Sequence, residues 1–84
     1  MIQLRYFASL REQLGTDAEQ IELPGGIADL AGLAAHLQAR GGIWGEAFDS
    51  GRTLMMAVNQ EAANVESPVS DGDEVAFFPP VTGG

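Results

Sequence analysis

The sequence predicts an α+β fold, in which a mixed sheet of about five strands packs one main helix against one face. A segment near the start of the chain alternates between two faces with a period of two, as strands do, and residues 74–78 near its end also predict a strand. Between them, apolar residues spaced three and four positions apart predict one long helix. The chain has 84 residues, which is the length of one small domain.

The first part of the chain is predicted to form two strands joined by a short helix. Residues 2–7 alternate with a period of two, which predicts a strand. Residues 9–14 predict a short helix with Gly15 as its C-cap. Residues 18–23 form the second predicted strand, which stops at Pro24. These elements predict a hairpin with a wide loop.

The main helix is predicted over residues 27–40. Its apolar side chains share one face: Ile27, Leu30, Leu33, Ala34 and Leu37. Asp29 in the first turn and Arg40 in the last turn both suit the helix dipole. A second, short helix is predicted around Trp44 and Phe48, whose side chains we expect in the core, with contact to a partner as the alternative.

The last part of the chain is predicted to form three strands. They cover residues 53–58, 62–65 and 74–78, separated by an Asn59-Gln60 turn and a turn over 68–73. Two leading strands and a final strand around one helix are the arrangement of a β-grasp, or ubiquitin-like, fold. The right-handed crossover rule places the strand after the main helix parallel to a neighbouring strand.

We divide the chain into a β-grasp domain over residues 1–80 and a flexible Gly-Gly tail over residues 81–84.

The composition of the chain excludes several functions. Four basic residues, all arginines, stand against twelve acidic ones, for a net charge of −8. Nucleic acid and anionic membranes are therefore improbable partners. Lysine and cysteine are both absent, so Schiff-base and thiolate chemistry are excluded. Without a signal peptide or an apolar run long enough to span a membrane, a cytoplasmic location is expected.

Most candidate sites have a simpler structural interpretation. His36, the single histidine, is expected on the surface or satisfied within the fold rather than in a serine triad. The acidic residues 71–74 lack the spacing of a calcium loop and predict a solvated turn. Gly25-Gly26 has no accompanying lysine and predicts a turn rather than a phosphate loop. Met55-Met56 predicts core or packing surface, and no metal site is predicted.

The C-terminus is the feature that these interpretations leave unexplained. Phe77-Phe78 ends the last strand, Pro79-Pro80 stiffens the exit, and Val81-Thr82-Gly83-Gly84 follows. Extended, residues 81–84 span roughly 13 Å, enough to enter a partner's active-site channel. Glycine lets a backbone pass where a Cβ atom would clash. The reactive group is then the α-carboxylate of Gly84, which another enzyme must activate.

A set of motifs along the chain carries a resemblance to a known family: Tyr6-Phe7-Ala8, Leu10-Arg11-Glu12, Gly15-Thr16-Asp17, Ala57-Val58-Asn59-Gln60 and the block from Asp71 to Gly84. The chain resembles the molybdopterin synthase small subunits, a family of sulfur-carrier proteins with a β-grasp fold. The Asn-Gln and Asp-Gly-Asp turns are shared with the thiamine sulfur carrier. The ending Phe-Phe-Pro-Pro-Val-x-Gly-Gly points to the molybdopterin branch.

The resemblance implies a sulfur-transfer cycle. A ubiquitin-activating-like adenylyltransferase uses ATP to adenylylate Gly84, and a sulfur donor converts it to a thiocarboxylate. The tail then enters the large subunit, and the sulfur is transferred to cyclic pyranopterin monophosphate in molybdenum cofactor biosynthesis. The assembly implied is a heterotetramer of two small and two large subunits. The chain holds no permanent cofactor and is non-catalytic alone, because the catalytic pocket lies on the large subunit.

The resemblance also implies site residues. Gly84 carries the chemistry with Gly83, and the partner contacts are Phe7, Phe78, Pro79, Pro80, Val81 and Thr82. For Phe7 and Phe78, packing in the core is the alternative. Glu61-Ala62-Ala63 stands where the family often has a larger apolar residue, which weakens that expected contact. Pro24-Gly25-Gly26 replaces a common polar cap, so a helix start weaker by around 1 kcal/mol is expected.

Two other functions remain open at this point. The chain could carry sulfur for thiamine synthesis or tRNA thiolation, which requires the same fold and tail but a different partner. It could also be a ubiquitin-like modifier whose Gly84 is attached to lysines of target proteins.

Overall fold

The described part of the chain forms five strands and three helices. The computed structural model describes residues 1–49 and 51–80. The elements in order are β1 (Ile2–Tyr6), α1 (Ala8–Leu14), β2 (Ala18–Ile21), α2 (Leu30–Gln38), α3 (Gly42–Ala47), β3 (Met55–Val58), β4 (Glu61–Ala63) and β5 (Glu74–Phe78). The predicted order of strands and helices is confirmed, although several elements are shorter than expected.

The five strands form one mixed sheet in the order β2-β1-β5-β3-β4. The first and last strands pair in parallel at its centre, where Leu4 lies beside Val75 and Tyr6 beside Phe77. The other three pairs are antiparallel. The predicted hairpin of β1 and β2 is present, with α1 in its wide loop. This topology, with α2 against one face, confirms the β-grasp fold.

The expectation that the strand after the main helix is parallel to a neighbour is wrong. That strand, β3, pairs antiparallel with both β5 and β4. The crossover does make β3 run in the same direction as β2, but β1 and β5 lie between them. The reason is that β5 takes the central position next to β1, where Val75 and Phe77 become fully buried.

The main helix is shorter than predicted and begins with a cap that the sequence interpretation misplaced. Asp29 is the N-cap rather than a first-turn residue, and its carboxylate accepts a 2.9 Å hydrogen bond from the Gly32 N–H. The expected weak start is therefore wrong, because an aspartate is among the best N-caps. Ile27 precedes the helix and packs against the core. Leu30, the first helical residue, and Leu37 near its end are both fully buried.

The Asn59-Gln60 turn joins β3 to β4 as predicted. Both residues have positive φ, 51° and 69°, as a two-residue type I′ hairpin requires. The Asn59 side chain also holds the start of β5, because its Oδ1 accepts a 3.0 Å hydrogen bond from the Glu74 N–H. Its Nδ2 donates to Asp73 Oδ1 at 3.1 Å. The turn therefore connects two strand pairs as well as forming a hairpin.

The core lies between the helices and the inner face of the sheet. The fully buried large side chains are Tyr6, Phe77, Ile2, Leu4, Leu10, Leu30, Leu33, Leu37 and Val75. Phe48 meets Phe77 edge to face at 5.1 Å between ring centroids, and Trp44 stacks on Phe48 at 6.0 Å. Phe48, directly after α3, is buried as predicted, whereas Trp44 is half-buried and packs against the edge of the core.

A charged cluster closes one side of this core. The Tyr6 hydroxyl donates to Glu19 at 3.0 Å, and Arg40 donates two hydrogen bonds to the same carboxylate at 2.8 and 2.9 Å. The Arg40 guanidinium also lies 4.4 Å from the centroid of the Trp44 ring. Burial raises the pKa of the Tyr6 hydroxyl, and the Arg40 hydrogen bonds lower the pKa of Glu19. The cluster thus joins β1 and β2 to the segment between α2 and α3.

The N-cap of α2 can be tested by substitution. Asp29→Ala removes the acceptor for the Gly32 N–H and is expected to lower the free energy of unfolding by about 1 kcal/mol. Asp29→Asn keeps an acceptor oxygen and is the matched control. Its free energy of unfolding is expected to fall by only a few tenths of the loss in Asp29→Ala. Urea unfolding measures both. Equal losses in the two variants would contradict the capping role.

The Glu19 cluster gives an expected pH dependence. Because its pKa is lower in the folded chain, Glu19 contributes stability that is present above the ordinary carboxylate pKa of about 4.3 and is lost as pH falls through the depressed value. Glu19→Gln should therefore be less stable than the unsubstituted chain near neutral pH. The difference should shrink in acid. Urea unfolding of both proteins at several pH values tests this, and a constant difference would contradict it.

Candidate functional site

The candidate site is an apolar patch on the outer face of the sheet, the face turned away from the helices. Phe7, Met55 and Phe78 form it, and we call these three residues the outer apolar patch. Phe7 is 40% and Met55 43% exposed, and Phe78 is half-buried. Core packing is thereby excluded for Phe7 and Met55, while Phe78 lies at the sheet surface.

Strand pairing brings these side chains to one end of the sheet. Phe7 follows the paired Tyr6 in extended conformation, and its N–H donates to the Phe77 carbonyl at 3.3 Å. Phe78 follows Phe77 and pairs with Met55 across the β5–β3 ladder. Because side chains alternate along a strand, Phe77 points into the core and Phe78 points outward.

The predicted tail begins beside this patch. Pro79 is half-buried and Pro80 is exposed, directly after β5. The other predicted site residues, which are Val81, Thr82, Gly83 and Gly84, lie outside the described residues. The structure therefore brings Phe7, Phe78 and the two prolines together at one end of the sheet.

Two residues near this site were missed or only partly interpreted from sequence. Met55 was grouped with Met56 as core or packing surface, yet only Met56 is buried. Their alternation along a strand was the available signal. Arg5 places its guanidinium 5.5 Å from the centroid of the Phe7 ring. The signal for this contact was their spacing of two positions, which places both side chains on one face of an extended segment.

Two alternative sites of the sequence analysis, His36 and residues 71–74, lie where their simpler interpretations predicted. His36 is exposed on α2. Residues 71–74 turn at Gly72, whose φ is 94°, and lead into β5. Within the described residues, no group of three His, Cys, Asp or Glu side chains could hold a metal ion. No helix there is long and apolar enough to cross a membrane.

A groove of about 380 Å³ lies on the opposite, helical side of the sheet. Alanines of α2 form one wall, and Phe48 and Met56 lie among its other lining residues. Of the predicted partner contacts within the described residues, none lines this groove. The outer apolar patch and the groove are therefore separate surfaces.

The β-grasp sheet, with a patch beside the exit of its last strand, defines a ubiquitin-like protein. Comparison with known proteins assigns the chain to a narrower group than this class. A model of the ThiS family matches residues 4–84. The molybdopterin synthase sulfur carrier subunit of Escherichia coli strain K12 is 44% identical over 84 residues, covering 100% of both chains. The chain therefore belongs to the ThiS family.

Solved structures agree with this family assignment. A chain in the complex of subunits 1 and 2 of the molybdopterin-converting factor from Helicobacter pylori has a TM-score of 0.65 and 27% identity, covering 99% of this chain and 97% of that chain. Small archaeal modifier protein 1 of Haloferax volcanii has a TM-score of 0.72 and 25% identity, covering 95% of this chain and 97% of that chain. Both structures have the same β-grasp fold as this chain.

The two phenylalanines at the end of β1 and near the end of β5 should respond differently to truncation. Phe77→Ala empties a fully buried position and is expected to cost about 3–5 kcal/mol of unfolding free energy. Phe7→Ala removes a half-exposed ring and should cost about 1 kcal/mol or less. Chemical denaturation measures both. A loss at Phe7 as large as that at Phe77 would show that Phe7 is a core residue.

Proposed function

We propose that this chain is the sulfur carrier subunit of a molybdopterin synthase. The observation that carries the proposal is the 44% identity with the Escherichia coli sulfur carrier subunit over the full length of both chains. The composition supports it, because the chain has no cysteine or lysine side chain with which to hold sulfur or an acyl group. Sulfur that is carried as a thiocarboxylate at the C-terminus needs neither a cysteine nor a lysine side chain.

The proposed chemistry takes place on Gly84. Its carboxylate attacks the α-phosphorus of ATP on an adenylyltransferase, so that pyrophosphate leaves and an acyl-adenylate forms. Sulfur at the sulfide level, released by a sulfur donor, then attacks the carbonyl carbon of the acyl-adenylate, AMP leaves, and the C-terminus becomes a thiocarboxylate. Activation is required because a free carboxylate is a poor electrophile. ATP is bound by the activating enzyme, and the carrier itself holds no permanent cofactor.

The proposed docking surface for the large subunit includes the outer apolar patch. Its residues Phe7 and Phe78 are exposed or half-buried beside Pro79 and Pro80, so a partner that covers them also receives the chain end. Support comes from the solved Helicobacter pylori complex of subunits 1 and 2.

We place two small and two large subunits in the assembly. Residues 81–84 are the tail that enters the large subunit, and the cytoplasm, where ATP is available, is the proposed location.

The test is the intact mass of the chain after incubation with the adenylyltransferase of the same organism, ATP and a sulfur donor. The expected result is the replacement of one oxygen by one sulfur. Addition of the large subunit and cyclic pyranopterin monophosphate should then yield molybdopterin and return the carrier to its original mass. Deletion of Gly84 should abolish both changes while the unfolding midpoint stays the same.

Omission of ATP is the control for activation. An unchanged mass with all components present would contradict sulfur carriage. Sulfur loading followed by transfer only to a thiazole synthase would assign the chain to thiamine synthesis. Lysine-linked adducts without sulfur loading would instead identify a protein modifier.

A further inference from the structure

Arg5 is a cation at the centre of the outer face. It lies in β1, beside Ala18 of β2 and Ala76 of β5 in the strand register. The same row continues through Ala57 of β3 to Ala62 of β4. One arginine and four alanines thus form a row across all five strands. Side chains as short as alanine leave the terminal amino groups of the guanidinium uncovered.

The Arg5 guanidinium lacks a hydrogen-bond acceptor among the described residues. Its Nε is inaccessible to solvent and makes no hydrogen bond there. Its ion pair with Glu74 is loose and partly exposed, because the Glu74 oxygen lies 3.9 Å from Nη1, beyond hydrogen-bond distance. Two other arginines differ, because Arg40 donates twice to Glu19 and Arg52 donates to Gln13 at 2.9 Å.

The position of the guanidinium is nevertheless constrained. It lies 5.5 Å from the centroid of the Phe7 ring, a distance typical of a cation–π contact. The Arg5 side chain is 43% exposed, so its terminal amino groups remain accessible from outside the sheet. Arg5 therefore presents an oriented and accessible fork of donors next to the outer apolar patch.

A partner that covers Phe7 must also cover Arg5 and remove water from its guanidinium. Desolvating an ion without giving it a partner is strongly unfavourable. The planar fork of an arginine matches a carboxylate with two parallel hydrogen bonds. We infer that Arg5 determines partner specificity by pairing with a carboxylate on the docking face of the large subunit. This inference rests on the proposed function.

The charge of the chain makes this pairing selective. With a net charge of −8, the chain is attracted at long range to any basic surface. A uniformly basic surface would nevertheless place a like charge against Arg5. The partner that fits best is basic around its docking face, with an apolar area for the patch and one acidic side chain opposite Arg5.

Calorimetric titration with the large subunit of the same organism tests the inference. Arg5→Gln should weaken binding by about tenfold or more, with an unfolding midpoint close to that of the unsubstituted chain. Arg52→Gln is the matched control, because it makes the same change in net charge on the loop before β3 and should leave the affinity nearly unchanged. Arg5→Lys keeps the charge but loses the fork, and should give an intermediate affinity.

A double-mutant cycle then locates the carboxylate. Each Asp and Glu on the docking face of the large subunit is changed to its amide, and one of them should show coupling with Arg5→Gln. Equal affinities for Arg5→Gln and Arg52→Gln would overturn the inference while leaving the proposed function intact. Failure of the unsubstituted chain to bind the large subunit would contradict the proposed function and the inference together.

Discussion

The parallel pairing of β1 with β5 is the constraint on which the rest of the structure depends. It joins the two ends of the chain at the centre of the sheet, with β2 on one side and β3 and β4 on the other. Leu4, Tyr6, Val75 and Phe77 contribute fully buried side chains to this pair. Helix α2 packs over these inner side chains, so the hydrophobic core forms only when the first and last strands meet.

The same pairing determines what the outer face presents. Since neighbouring residues of a strand point to opposite faces, burial of Phe77 turns Phe78 outward. Burial of Tyr6 turns Phe7 to the same side. The two outward rings then lie at the end of the sheet where Pro79 stops β5. The outer apolar patch and the exit of the last strand thus depend on one register, and a shift of that register by one residue would exchange the side chains of the core with those of the patch.

Much of this fold is local in origin and was therefore predictable. Period-two alternation indicates a strand, the glycine at position 15 indicates the end of a helix, and Asn59-Gln60 indicates a turn between two strands. The start of α2 was misplaced because Ile27 has the spacing of a helix face, whereas Asp29 is a stronger capping signal. The pairing of strands far apart in the sequence was not predictable, because it is decided by burial of the whole core. The row of alanines around Arg5 therefore became visible only in the structure.

The candidate site residues also divide into those with a local signal in the sequence and those that depend on distant strands. The C-terminal motif was readable because it is a contiguous run of residues, and the composition excluded most competing chemistry. Arg5, by contrast, gains its significance from residues of other strands: the short side chains of Ala18 and Ala76 leave it uncovered, and Glu74 is too far away to satisfy it. A carrier whose chemistry resides on its terminal carboxylate must be recognised by its surface. On a strongly acidic chain, an oriented cation beside an apolar patch distinguishes one basic partner from another better than the overall charge can.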